Sequence, residues 1–363
     1  MSGRPSQWSR GRGTPVDQMP GAPPGQAGAP PGQAGAPPGQ VLPPPWTHPR
    51  RRWGRRAAVT FLALLVLAAG LLVYVDRRLN RVDALTDYTG RPTATPGTDW
   101  LIVGSDSREG LTGEQKRKLG TGDAAGRRAD TMMLLHIPRG GGQPTLVSLP
   151  RDSYVPIPGR GRNKLNAAYA FGGPKLLART VEEVTGIRID HYMEVGFDGF
   201  AATVDAVGGV RICPGKPMKD PMAGLNIPAG CQILDSRQAL GYVRTRAGGR
   251  GDLDRVERQR ELLGSLIDKA TSPGMLLNPF RSIPLALDGT DNIAVDDADH
   301  LYHLTRFPLA MRAVTSGDGI ATTVPIAGTG PVPGAGSVVR WDRQSALALF
   351  DALKQDRRHP SSR

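Results

Sequence analysis

Soft-metal ligands are scarce in this chain. Cys213 and Cys231 are the only cysteines among 363 residues, and there are six histidines. A zinc centre needs more ligands than two cysteines, no histidine lies close to the pair in sequence, and the spacing is far from C-x-x-C. Thiolate-metal and dithiol redox chemistry are therefore disfavoured. His136, His191, His300 and His303 have no metal-binding spacing, and the last two, one helical turn apart, read as a helix surface. The glycine-rich stretches Gly140 to Gly142 and Gly248 to Gly251 lack the lysine and hydroxyl ending of a P-loop. That removes nucleotide hydrolysis and leaves them as turns. Acid is nearly missing from residues 1–56, where eight arginines face the single acid Asp17 and hold about half of the net charge of +13. Charge alone would suit either nucleic acid or an anionic substrate.

A long apolar run decides between them. Ala57 to Val75 contains nineteen residues without a charge, which at a helical rise of ~1.5 Å per residue covers the hydrocarbon thickness of a bilayer. Five arginines stand just before it, while Arg77, Arg78 and Arg81 beyond it are diluted by Asp76 and Asp83. The positive-inside bias makes the N-terminus cytoplasmic and everything after Val75 extracytoplasmic, so nucleic acid is not a partner. A cleaved signal peptide is disfavoured, because 56 residues precede the run and no small-residue cleavage motif follows. The repeat GAPPGQA at Gly21 to Ala27 and Gly28 to Ala34, truncated at Gly35 to Gln40, cannot form a packed core. The expected organisation is a disordered tail over 1–56, a transmembrane helix over 57–75, a linker over 76–98 and a catalytic domain over 99–357. In an oxidising compartment Cys213 and Cys231 are expected to form a disulfide that staples a proline- and glycine-rich loop.

Within the domain, apolar runs of strand length occur at Trp100 to Gly104, Thr131 to Ile137 and Thr145 to Leu149. Leu165 to Phe171 and Pro174 to Val184 read as helices, the second with proline in its first turn and Gly186 as its stop. A strand over Arg188 to Val195, a helix over Asp198 to Val207 and a strand over Val210 to Ile212 follow. Further helices are expected at Ser236 to Val243, Leu253 to Lys269, Asp296 to Val314 and Arg343 to Lys354, with strands near Ile320 to Pro325 and Ser337 to Trp341. Alternating strands and helices imply an α/β fold, a three-layer α/β/α sandwich around a central mixed sheet.

Five segments bring arginine, aspartate or both to the ends of these elements: GSDSR at Gly104 to Arg108, RADT at Arg128 to Thr131, SLPRD at Ser148 to Asp152, RTR at Arg244 to Arg246, and Asp254-Arg255 with Arg258-Gln259. Arginine forks fit phosphate oxygens in pairs, and carboxylates offer hard oxygens to Mg²⁺. Together they read as a pyrophosphate site. Arg244 and Arg246, taken as alternate residues of an extended segment, point the same way. Arg258 reads as a solvated helix residue near Glu261, and Lys164 as a helper in charge or a solvated loop residue. The apolar segments Ala178 to Val184, Phe197 to Val207 and Leu262 to Ile267 are candidate walls for an isoprenoid tail, with plain core as the commoner role of such segments.

In their order, GSDSR, RADT, SLPRD, KLNAAYAFGG and ALGYVRTR followed by DLDRVERQ resemble the signature of the LytR-CpsA-Psr family, membrane-anchored cell-wall phosphotransferases. The resemblance runs from about Asp99 to Ala270. It implies transfer of a glycan phosphate from a polyprenyl-pyrophosphate-linked glycan to a peptidoglycan acceptor, with release of polyprenyl phosphate. It also implies that Asp106 and Asp130 hold Mg²⁺, with Mn²⁺ as an alternative. Arg151, Arg244, Arg246 and Arg255 match the arginines that clamp the pyrophosphate, Gln259 a polar phosphate contact, and Arg108 a phosphate contact beside the first acid. Asp152 and Asn166 match motif positions, Asp152 as a catalytic candidate and Asn166 as a pyrophosphate contact. A regulatory membrane protein that binds polyprenyl pyrophosphate without turnover, and a lipid pyrophosphatase, stay open. Abundant alanine, glycine and arginine point to a GC-rich actinobacterial genome, where the expected polymer is arabinogalactan; teichoic acid and capsular polysaccharide stay open too. The stretch Glu109 to Arg127 is longer than the usual family connection and is expected to be a loop near the site.

Overall fold

The computed structural model describes residues 50–105, 129–245 and 252–357. Most of the expected tail, Asp106, Arg108, the 109–127 loop, Arg246 and the glycines from Gly248 to Gly251 lie outside the described residues.

The chain begins with α1 (Arg50–Arg78), β1 (Asn80–Val82), β2 (Thr98–Ser105), β3 (Ala129–Ile137) and β4 (Thr145–Ser148). A hairpin of β5 (Tyr154–Ile157) and β6 (Gly161–Lys164) leads into α2 (Leu165–Thr185), β7 (His191–Val195) and α3 (Phe197–Ala206). Four short strands follow, β8 (Val210–Ile212), β9 (Met218–Asp220), β10 (Leu225–Ile227) and β11 (Gln232–Leu234). Next come α4 (Ser236–Arg244), α5 (Asp252–Ala270), α6 (Pro273–Leu276), α7 (Pro279–Asn292) and β12 (Ile293–Asp296). The chain closes with α8 (Arg306–Ser316), β13 (Ile320–Thr323), the hairpin of β14 (Ile326–Val332) and β15 (Gly336–Trp341), and α9 (Arg343–Lys354).

Seven strands form a mixed sheet in the order β1-β12-β7-β2-β3-β4-β13. Strand β2 runs parallel to β7 and antiparallel to β3. A strand buried on both faces reads as an unbroken apolar run, and Trp100, Leu101, Ile102 and Val103 of β2 are all buried. Their alternation divides the core. Leu101 and Val103 pack with Leu177 and Val181 of α2 and Leu349 and Phe350 of α9, whereas Trp100 and Ile102 pack with Ile267 of α5 and Phe307 and Met311 of α8. Helices on both faces give the expected three-layer sandwich.

The break in α2 falls where the sequence placed it. Gly172 and Gly173 leave the helical region, Pro174 restarts the helix, and Gly186 ends it in the left-handed conformation at φ 68°, where its N–H reaches the Glu182 carbonyl. One expectation fails: the helix over Asp296 to Val314 is instead the end of β12, a turn, a 3-10 turn at His303–Thr305, and α8 from Arg306. Asp296 is the reason. Its carboxylate accepts the backbone N–H groups of Ala84, Leu85 and Ala298, and such side-chain bonds compete with a helix. The stretch expected as a linker also supplies β1, the sheet's edge strand. Beyond it, Arg91 bridges Glu182 at 3.0 Å and the carbonyls of Leu85 and Ile189 at 3.0 Å each.

His136 ties β2 and β3 to the chain after α9. It lies 2.9 Å from both Asp99 and Asp356, and Gly97 at φ 93° keeps the approach open, since a Cβ there would meet the imidazole at 2.7 Å. Burial works against the charged ring, but the hydrogen bonds and charges of Asp99 and Asp356 outweigh it and hold the His136 pKa above its usual value. A raised folded pKa gives stability that is complete below the unfolded pKa of about 6.5 and is lost as pH rises through the folded value. Thermal melts of wild type and His136→Gln are therefore expected to differ most below about pH 6.5 and to converge as the pH is raised.

Candidate active site

A cavity of about 670 Å³ opens between the sheet and helices α3, α4 and α5. Its lining includes Asp130, Arg151, Arg244, Arg255 and Gln259 among the polar residues, and Ile102, Met133, Met193, Phe200, Leu262 and Ile267 among the apolar ones. A second cavity of the same volume, beside Arg211, Arg260 and Lys269, contains none of the motif residues. There Arg260 is committed to the framework, bonding Ser148, Thr323 and the Thr322 carbonyl.

Asp130 reaches the cavity because of a β-bulge. Gly104 pairs with Thr131, but Ser105 pairs with Ala129, so Asp130 has no partner on β2. Strict alternation from Met132 and Leu134, which face α2 and α9, would turn Asp130 into that core. The extra residue re-aims it to the side of Thr131 and Met133, as bulges beside functional sites do. Ser105 belongs to the same wall; its hydroxyl is buried and has no hydrogen-bond partner among the described residues. Sequence reasoning gave Ser105 no role, since only the pairing with Ala129 turns it inward.

Arg151 sits on the turn after β4 and meets Asp130, Nη1 to Oδ1, at 2.5 Å. The turn is held from several sides. The first N–H groups of α2 donate to it, Asn166 to the Arg151 carbonyl at 3.0 Å and Leu165 to the Ser153 carbonyl at 2.9 Å. These donors have no partner within their own helix, so the turn and the helix end satisfy each other. Trp341 of β15 donates to the Ser153 hydroxyl at 2.8 Å. Asp152 bonds Lys164 at 2.9 Å, and neither Asp152 nor Asn166 lines the cavity. The two residues support Arg151, Asn166 through its backbone.

Arg244 reaches the cavity from the last residue of α4, so it is helical and not part of an extended pair as the sequence suggested. The helix starts at a capping box between Asp235 and Gln238. Its C-terminal end is fixed by two side chains: Thr245 donates to Asp220 at 2.6 Å, and Arg258 of α5 donates to the Thr245 carbonyl at 2.6 Å. Arg258 is thus buried and structural, contrary to the solvated position expected for it. Arg258→Met removes a charge-assisted bond and is expected to destabilise the fold by about 1.5–3 kcal/mol, measured by thermal or denaturant unfolding.

Helix α5 accounts for both characters of the cavity. Arg255, Gln259, Leu262, Leu263, Leu266 and Ala270 recur every three or four residues and form one stripe. The first turns carry cation and amide, and the later turns only hydrocarbon. Of the candidate apolar walls, Leu262, Leu263, Leu266 and Ile267 line the cavity together with Phe200 and Thr203 of α3, whereas Ala178 and Val181 belong to the core on the other side of the sheet.

An arginine-rich pocket continuous with an apolar one matches an anionic headgroup joined to a hydrocarbon tail. The sequence profile of the LytR_cpsA_psr family matches residues 78–301. The chain belongs to the LytR-CpsA-Psr family. It is 52% identical over 308 residues to "Probable cell wall biosynthesis protein LcpB" of Corynebacterium glutamicum, covering 84% of this chain and 72% of that protein. It is 37% identical over 268 residues to the polyisoprenyl-teichoic acid–peptidoglycan teichoic acid transferase TagT of Bacillus subtilis, covering 66% of this chain and 78% of the relative. Among solved structures, the LytR-Csp2A-Psr enzyme of Actinomyces oris superposes with a TM-score of 0.58 at 24% identity, over 77% of this chain and 96% of that one. The fold and the family are those the motifs led us to expect, and this LytR-CpsA-Psr chain is an enzyme of the phosphotransferase type. The disulfide Cys213–Cys231 is present. Among the described residues, one helix over Trp53–Arg78 is long and apolar enough to cross a membrane, and its most apolar 18-residue window has a mean hydropathy of 2.6.

Proposed function

We propose that this protein transfers a glycan phosphate from a polyprenyl-pyrophosphate carrier to a peptidoglycan hydroxyl and releases polyprenyl phosphate. The observation that carries the reading is the single cavity with cations at one part of its lining and apolar side chains over the rest. In this reading the pyrophosphate lies against Arg151, Arg244 and Arg255, and the isoprenoid tail lies along Leu262, Leu263 and Leu266. The curated relatives named as teichoic acid transferases act on a lipid-linked polymer and peptidoglycan, which supports the substrate class. Arabinogalactan is the polymer favoured by the alanine-, glycine- and arginine-rich composition, and the Corynebacterium relative is named for cell wall biosynthesis. The cytoplasmic N-terminus and extracytoplasmic domain rest on the arginines at the start of α1, ahead of its apolar run.

The residues present fit a bound Mg²⁺. Asp130 offers a hard carboxylate on the cavity wall, and on the same wall the Ser105 hydroxyl is buried without a hydrogen-bond partner among the described residues. Mg²⁺ is commonly held by one or two carboxylates with substrate phosphates completing its shell. Asp130 would hold it, together with Asp106, which lies outside the described residues. When bound, the ion neutralises charge on the phosphates. The chain's own part is positional. Arg151 exchanges its hold on Asp130 for a phosphate oxygen, Arg244 and Arg255 fix the remaining oxygens, and the apolar lining excludes water that would compete with the acceptor.

The test uses the full chain in detergent micelles with a lipid-linked glycan labelled on its sugar, Mg²⁺ and peptidoglycan. Label on peptidoglycan that disappears with EDTA supports the proposal. Free glycan phosphate would make the protein a lipid pyrophosphatase, and tight binding without turnover would make it a regulatory lipid-binding protein; either result overturns it.

A further inference from the structure

At the opposite end of β7 from the cavity, two imidazoles and a carboxylate converge where α1 joins the sheet. His191 opens β7, Asp299 lies in the turn after β12, and His303 begins the 3-10 turn. One ligand atom from each lies within 4.8 Å of the others, and the Asp299 side chain is only 2% exposed. These residues belong to none of the phosphate motifs, and the cavity takes Met193 from the middle and Val195 from the far end of the strand.

The hydrogen bonds leave one contact unexplained. The His191 Nδ1 bonds Asp299 Oδ1, and the His300 backbone N–H donates to the His303 Nδ1 at 3.2 Å. That N–H makes the His303 Nδ1 an acceptor, so it carries no proton. Yet the same nitrogen faces Asp299 Oδ1 at 3.5 Å. That oxygen already bonds the His191 Nδ1, so an ion held by all three residues would take the place of the proton that those two atoms share. The separation between the His303 nitrogen and the oxygen is the one that two ligands take around a tetrahedral zinc ion, roughly 3.3–3.5 Å for bonds of about 2.0–2.2 Å.

From this contact we propose that His191, Asp299 and His303 bind one divalent transition-metal ion of the zinc class. Two imidazoles with one carboxylate form a donor set that suits such ions and leaves further positions to water. The supports of a metal site are in place. The Tyr192 backbone N–H donates to the second Asp299 oxygen at 3.1 Å and orients the carboxylate. His191 packs between Trp100 and His303, with ring centroids 4.4 and 4.5 Å away, so both ring planes are fixed by packing. His300 is engaged elsewhere, with its Nδ1 3.1 Å from Asp76 and 3.3 Å from Arg81. Because Arg81 also donates to the Asp299 carbonyl and Asp76 accepts the Leu301 N–H, the ion would brace the base of α1 against the sheet.

The test is a Co²⁺ titration of the untagged full chain in detergent micelles after chelator treatment. The expected result is one equivalent bound, with the visible absorption of four- or five-coordinate Co²⁺ and displacement by Zn²⁺. His303→Ala and His191→Gln, made separately so that failure of one to fold leaves the other, are each expected to weaken binding at least ~10-fold. Asp130→Asn is expected to keep it. Absence of a saturable signal, survival of the signal in both histidine variants, or its loss in Asp130→Asn would each overturn the proposal.

Discussion

Arg151→Ala is expected to lower transfer by about 10²–10³-fold, the usual effect of removing one aimed donor from a charge-stabilising site. The fold should hardly notice. The pair that Arg151 makes with Asp130 is partly exposed, with side chains 19% and 32% accessible, and such pairs contribute at most about 1 kcal/mol. In a domain of this size that is a shift of roughly 2–4 °C in the melting temperature. Arg151→Lys keeps the charge but loses the fork that fits two phosphate oxygens, and is expected to remain well below wild type. Steady-state transfer assays and thermal melts on the same preparations check both. A large fall in melting temperature with Arg151→Ala would instead mark the residue as part of the framework.

Breaking the disulfide is expected to have the opposite pattern, a large loss of stability followed by a loss of function. Cys213 and Cys231 close a loop of 18 residues' separation, for which the chain-entropy model gives about 3 kcal/mol. Cys213→Ser should then lower the melting temperature by roughly 6–12 °C. The bond continues the ladder in which Ile212 of β8 pairs with Gln232 of β11. Inside the loop lie Asp220, Met222 and Ala223, all on the cavity wall, and Asp220 also holds Thr245 beside Arg244. Loosening the loop therefore loosens an arginine of the site. Reduction with dithiothreitol should reproduce the variant's melt and weaken binding of the lipid carrier, read as a higher KM, before it lowers kcat. A wild-type melt insensitive to reductant would contradict this.

What the sequence made legible is what is local in it. Gly172, Gly173 and Pro174 place the break in α2, Gly186 places its end, and the unbroken apolar run from Trp100 marks a strand buried on both faces. The motif order also brought Asp130, Arg151, Arg244, Arg255 and Gln259 to a single cavity. Features that depend on pairing across long separations were hidden. The bulge at Asp130 exists only in register with β2. Arg258 is buried only because the end of α4 presents a carbonyl to it. His191 and Asp299 are separated by 108 residues, so no spacing rule on either one could have joined them. Strands β1 and β12 are three and four residues long, shorter than a periodic pattern needs to declare itself.

The central claim is that the bond broken lies between the two phosphorus atoms of the carrier. A lipid-linked glycan carrying phosphorus-32 only in the glycan-proximal phosphate tests it most directly. With the full chain, Mg²⁺ and peptidoglycan, the label is predicted to move onto peptidoglycan in step with release of unlabelled polyprenyl phosphate. Arg151→Ala is predicted to stop both together. Glycan arriving on peptidoglycan while the label stays with the lipid would mean that the sugar–phosphate bond is the one cleaved, and would contradict the account.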